Sequence, residues 1–127
     1  MKFAKIVFTG AGVWGIAVLT PLYFLFDLTG RQYAPPTSYP QFFYGFVSVA
    51  MAWQIAFLLI GSRPDRFRPL MVMAVIEKFS YVLTLVVMYL RSSVPAIDAM
   101  PAVPDGLLGI LFVVAFIKTR AAKPHAV

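Results

Sequence analysis

From Ile6 to Phe26 the sequence reads IVFTGAGVWGIAVLTPLYFLF, without one charged side chain. A helix of about 20 apolar residues matches the hydrocarbon thickness of a bilayer. In a soluble protein such a helix must be wrapped by a large core. This chain has only 127 residues, and it repeats the pattern three times more. Phe42–Ile60 is interrupted by little beyond Ser48 and Gln54, and Leu70–Leu90 by Glu77 and Lys78. Val103–Thr119 is the weakest, its clean centre running from Leu107 to Ile117. At 1.5 Å per residue it reaches about 25 Å, enough to span if Asp105 and Lys118 lie at the two interfaces.

With 61% hydrophobic residues and a mean hydropathy of +0.83, no soluble packing can hide this surface. The expected architecture is all-α, an integral membrane antiparallel four-helix bundle. It forms a single domain over residues 1–127, with helices near 6–26, 42–60, 70–90 and 103–119. Local signals agree. Ser38 and Gln41 have capping-box spacing ahead of the second helix. Pro69 and Pro104 suit first turns, and Gly30 and Gly61 suit C-terminal caps. Pro21 predicts a kink in helix one.

Basic residues set the orientation. Lys2 and Lys5 precede helix one, Arg63, Arg66 and Arg68 separate helices two and three, and Lys118, Arg120 and Lys123 follow helix four. The other side has only Arg31 and Arg91. Both termini are therefore expected in the cytoplasm, in a bacterial inner (cytoplasmic) membrane. The first segment runs on into PLYFLF without a small-x-small cleavage site, which predicts a retained helix rather than a signal peptide.

The net charge of +6 comes from clusters at helix ends, a membrane pattern rather than a nucleic-acid surface. Cysteine is absent and the only histidine is His125, so neither a metal site nor a cofactor is expected.

The chemistry is concentrated in MVMAVIEKFSYVLTLVVMYL, Met71 to Leu90. Charges at bilayer depth cost a few kcal/mol each and carry a partner or a task. Helical spacing puts Glu77, Ser80, Tyr81 and Thr84 on one stripe, which predicts that this stripe faces the bundle interior. Depth counting along the helices brings Trp53 and Gln54, and Trp14, to the level of Glu77. A Gln54–Glu77 hydrogen bond is the most specific expectation. Lys78 is expected to snorkel toward the cytoplasmic headgroups or to pair. Asp27 ends helix one at the outer interface. Candidate ligand-binding residues are thus Glu77, Gln54, Trp53, Trp14, Tyr81, Lys78 and Asp27; none is assigned a catalytic role. The same residues also read as polar glue between helices and as packing.

The run YPQFFYGFVSVAMAWQIAFLLIGSRPDRFRPLMVMAVIEK, Tyr39 to Lys78, resembles small bacterial four-helix inner-membrane proteins of no assigned activity. The helix order of Asp27 and Glu77 is also similar to the four-helix sterol isomerase and sigma-2 receptor (EXPERA) fold. That resemblance implies a bundle cavity for a sterol-like ligand. The intramembrane histidine of its isomerases has no counterpart here.

Three functions are open on the sequence. The first is a binding or accessory protein that holds a lipid-like or apolar small molecule, or docks on a larger membrane complex or a second copy. The second is a small proton-coupled exporter using Glu77. The third is an EXPERA-like lipid-modifying enzyme with Glu77 as acid or base and Tyr81 as its partner. Membrane lipids are the common partner of all three.

Overall fold

In the computed structural model residues 2–24, 40–92 and 94–120 are described, with backbone alone for Pro40, Phe43 and Arg120. Four long helices account for most of them: α1 (Lys2–Leu19), α2 (Pro40–Ser62), α3 (Arg68–Leu90) and α4 (Ala102–Arg120). One further helical turn, Ala96–Ala99, precedes α4, and the described residues contain no strand. Asp27 and the expected caps at Gly30 and Ser38 lie outside the described residues.

Each helix start and stop has a local cause. α1 ends at Leu19, just ahead of Pro21, which has no N–H to continue the ladder. Thr20 Oγ1 donates to Ile16 O at 2.7 Å, closing the last turn. α3 opens with Pro69 in its first turn, as the sequence predicts. Past its end, Ser92 takes a left-handed conformation (φ 58°) that turns the chain away. Gly61 departs from expectation. It lies inside α2 with an ordinary helical φ, not at a cap. It is a glycine because α1 passes too close for a side chain there, and a Cβ would collide with Thr9.

Packing follows from such small residues. α1 lies against α2 through Gly12 and Gly15, whose added Cβ atoms would strike Leu58 and Gln54. Gly10 on the same helix faces open space. α3 packs on α4, where Phe79 sits over Gly109. α1 against α4 joins the two pairs, and α2 meets α3 only sparingly. The centre is aromatic: Phe8 stacks on Phe112 at 4.3 Å, and Phe57 meets Phe112 edge-on at 4.9 Å. Such pairs add roughly 0.5–1.5 kcal/mol beyond the area they bury.

At the end of the bundle carrying Arg68, α3 is fixed to α4. The Arg68 guanidinium donates to Phe116 O at 3.1 Å and to Thr119 Oγ1 at 3.2 Å. It also lies 3.7 Å from the centre of the Phe116 ring. Near the other end, the Tyr23 and Ser48 hydroxyls are 2.9 Å apart, tying the segment after α1 to α2.

All four helices are long and apolar enough to cross a membrane. The fourth such segment runs from Ala96 to Thr119, longer than the sequence suggested, because the turn Ala96–Ala99 leads into α4.

Candidate functional site

Lys78 decides the layout of the site. It stands ten residues into α3, roughly 15 Å from the helix start, and is 4% exposed. The stripe Met71, Ala74 and Lys78 is the buried side of α3, turned toward α4. The lysine therefore does not snorkel. Its Nζ lies 3.2 Å from Asp105 Oδ1 and 5.3 Å from the centre of the Phe57 ring, a cation–π distance. Asp105, expected at an interface, is the partner of this buried lysine. Asp105 sits level with the middle of α3, because the preceding turn Ala96–Ala99 extends the segment beyond it.

Glu77 is one residue along and about 100° around the helix, on the side of α3 that meets α2, and it shares a cavity with this pair. The stripe of Glu77, Ser80, Tyr81 and Thr84 runs along the seam between α2 and α3, and from it Glu77 and Tyr81 also reach the cavity inside the bundle. Ser80 and Thr84 are exposed, whereas Glu77 and Tyr81 are half-buried. Thr84 satisfies its hydroxyl on Ser80 O at 2.8 Å.

Gln54 is buried, 4% exposed, but its Nε2 donates to Ala50 O at 2.9 Å. No hydrogen bond joins it to Glu77. The missing side chain of Gly15 leaves the slot that Gln54 fills, and bonding one turn back along its own helix satisfies the amide locally. Glu77 is left otherwise: its Oε2 is buried and has no hydrogen-bond partner among the described residues. Buried polar atoms without partners are uncommon, and each costs about 1–3 kcal/mol.

These groups share a cavity of about 280 Å³. Its polar wall is Gln54, Glu77, Lys78, Tyr81 and Asp105; its apolar wall is Trp14, Val18, Leu19, Leu22, Phe46, Ala50, Pro101 and Pro104, with Gly15 at the base of the slot. Five of the residues singled out in the sequence thus meet here: Glu77, Gln54, Trp14, Tyr81 and Lys78. Trp53 lines the neighbouring groove on the α2–α3 seam and packs on Phe57 at 6.2 Å. Asp27 lies outside the described residues. Asp105 is the member sequence reasoning missed. The available signal was its charge balance, since one lysine buried in an apolar helix needs one carboxylate. Chemically, the cavity offers an acceptor without a donor beside a lysine already committed to a carboxylate. It has the apolar walls and few convergent polar groups of a small-molecule site.

Comparison with protein-family models, with curated proteins and with solved structures finds no match to this chain.

Proposed function

We propose that this chain is a multi-pass inner-membrane protein that binds a lipid-like molecule in the cavity at Glu77. The carrying observation is Glu77 Oε2, buried in an apolar-walled cavity with no donor to meet it. A ligand head bearing an N–H or O–H group supplies that donor. Its apolar body suits the wall of Trp14, Val18, Leu19 and Leu22.

The membrane reading is supported by four long apolar helices and by basic residues gathered at one set of ends. An antiparallel arrangement is supported by the order of contacts. Along α1, Thr9, Gly12 and Gly15 meet Gly61, Leu58 and Gln54 in turn. Along α3, Arg68 and then Lys78 meet Phe116 and then Asp105. Reporter fusions at Lys123 and within the loop at Arg31 are expected to give opposite signals, with Lys123 cytoplasmic. Matching signals would end the topology.

The binding test is Glu77→Gln, which keeps the shape and removes the charge. Only two tryptophans exist, Trp14 on the cavity wall and Trp53 on the seam. Their fluorescence in phosphatidylcholine vesicles should be quenched saturably by hexadecylamine brominated on its chain. Brominated methyl hexadecanoate, with no donor, should give only unsaturable quenching. Glu77→Gln is expected to leave the protein folded and weaken amine binding at least about tenfold, since bonds to charged groups contribute about 1.5–3 kcal/mol. Unchanged binding in the variant would mean that Glu77 only joins helices.

One observation favours a second reading, the small proton-coupled exporter. The lysine beside Glu77 would repel a cationic substrate, but it is neutralised by Asp105. Glu77 is thereby free to exchange a proton for a cation. Uptake of protons coupled to amine efflux in vesicles would distinguish export from simple binding.

A further inference from the structure

Three of the four contacts around the bundle are closed. α1 and α2 meet through glycines too tight to accept a Cβ. α3 and α4 are held by the Lys78–Asp105 and Arg68–Phe116 contacts, and α1 and α4 by the Phe8–Phe112 stack. The α2–α3 seam alone is sparsely packed. A groove runs along it from Trp53 and Glu77 to Gly45 and Thr84. A Cβ added at Gly45 would touch nothing within 4 Å.

The groove and the inner cavity share four wall residues: Phe46, Ala50, Glu77 and Tyr81. Between the two spaces stand the rings of Phe46 and Tyr81, stacked across the seam with centroids 5.8 Å apart. Phe46 is 46% exposed. Two side chains that can rotate, with no hydrogen bond or ion pair between them, make a partition that opens without breaking the helix packing. The loop from Arg63 to Phe67 ties α2 to α3 beyond the groove's Trp53 end.

We propose that the α2–α3 seam is a lateral entrance, with Phe46 and Tyr81 as its movable leaf. Through it a membrane-dissolved, single-chain amphiphile with a hydrogen-bond-donating head passes from the lipid phase to Glu77. This rests on the ligand-binding reading of Glu77. The head needs the unpartnered carboxylate oxygen, and the chain stays in apolar surroundings throughout. An aqueous route would instead have to strip the chain from lipid at each exchange.

The chain contains no cysteine, so paired cysteines can be placed on a clean background. Val49 and Ser80 face the groove from opposite sides and line no part of the inner cavity. Val49→Cys with Ser80→Cys, joined by a short reducible bis-thiol linker, pins the seam shut. The probe is hexadecylamine brominated on its chain, followed by stopped-flow tryptophan quenching in phosphatidylcholine vesicles. Cross-linking is expected to slow both association and release at least about tenfold and to leave the equilibrium constant within about twofold. Reduction of the linker should restore the rates, and each single-cysteine variant should exchange like the parent. Unchanged rates in the cross-linked protein, with binding still abolished by Glu77→Gln, would overturn the entrance and keep the site. Absence of saturable quenching in the parent protein would overturn both.

Discussion

Lys78→Met is expected to lower the stability of the folded protein by about 3 kcal/mol, read as an early detergent melt. The substitution removes a buried cation and keeps an apolar side chain of similar length. What remains is Asp105, which has lost the cation it pairs with, and Glu77 beside it with an oxygen already lacking a donor. Removing one partner of a buried pair costs about 3–5 kcal/mol, because the other charge stays buried and uncompensated. The lower end applies, since the Asp105 side chain is 23% exposed to the cavity. The double change Lys78→Met with Asp105→Leu should recover most of the loss, because apolar replacement of a whole buried pair is often close to neutral. A single variant as stable as the parent would mean the pair contributes nothing to holding α3 on α4. A double variant no better than the single would place the lysine's value in its contact with the Phe57 ring instead.

Gly61→Val should be nearly as damaging, through packing alone. A Cβ at this position falls 2.9 Å from Thr9 N and 3.3 Å from Thr9 Cα. These are backbone atoms, so no rotamer change relieves the overlap and α1 must move away from α2. Overpacking of this kind costs about 1–3 kcal/mol. The small gain in helix propensity over glycine offsets only a fraction of it. Gly45→Ala is the matched control. It meets nothing within 4 Å and should raise stability by about 0.5–1 kcal/mol, the ordinary benefit of alanine over glycine in a helix. Equal melts for the two variants would show that the glycine contact does not set the distance between α1 and α2.

The helices were legible in the sequence because each carries its own signal: an apolar run of sufficient length, bounded by proline or basic residues. The level of the site was legible too. Counting residues from the helix ends brought Gln54, Trp14 and Glu77 to one depth, and all three line one cavity. Rotation about the helix axis was not legible. Depth says that Gln54 and Glu77 share a level; only packing says that Gln54 turns into the slot above Gly15 and bonds Ala50. The same gap hid the direction of Lys78. A periodic stripe of polar residues looks like the interior face, but the glycines and aromatic rings of the neighbouring helices turned the Met71–Ala74–Lys78 side inward. Asp105 escaped because a carboxylate following Pro104 resembles any helix start. The turn at Ala96–Ala99 that carries it deeper has too short a pattern to read.

The Lys78–Asp105 pair spans 27 residues of sequence, and this separation bears on how the chain is made. A membrane protein is delivered to the bilayer from its N-terminus as it is synthesised, so α3 emerges before α4 exists. At that moment Lys78 lacks the carboxylate it pairs with, and placing a charged lysine at the centre of the hydrocarbon costs about 2.5–3.5 kcal/mol. Once Asp105 follows, the two charges can cross as a neutral unit. On the membrane reading proposed above, α3 and α4 are therefore expected to enter together as a hairpin, with the carboxylate of the last helix admitting the lysine of the one before it.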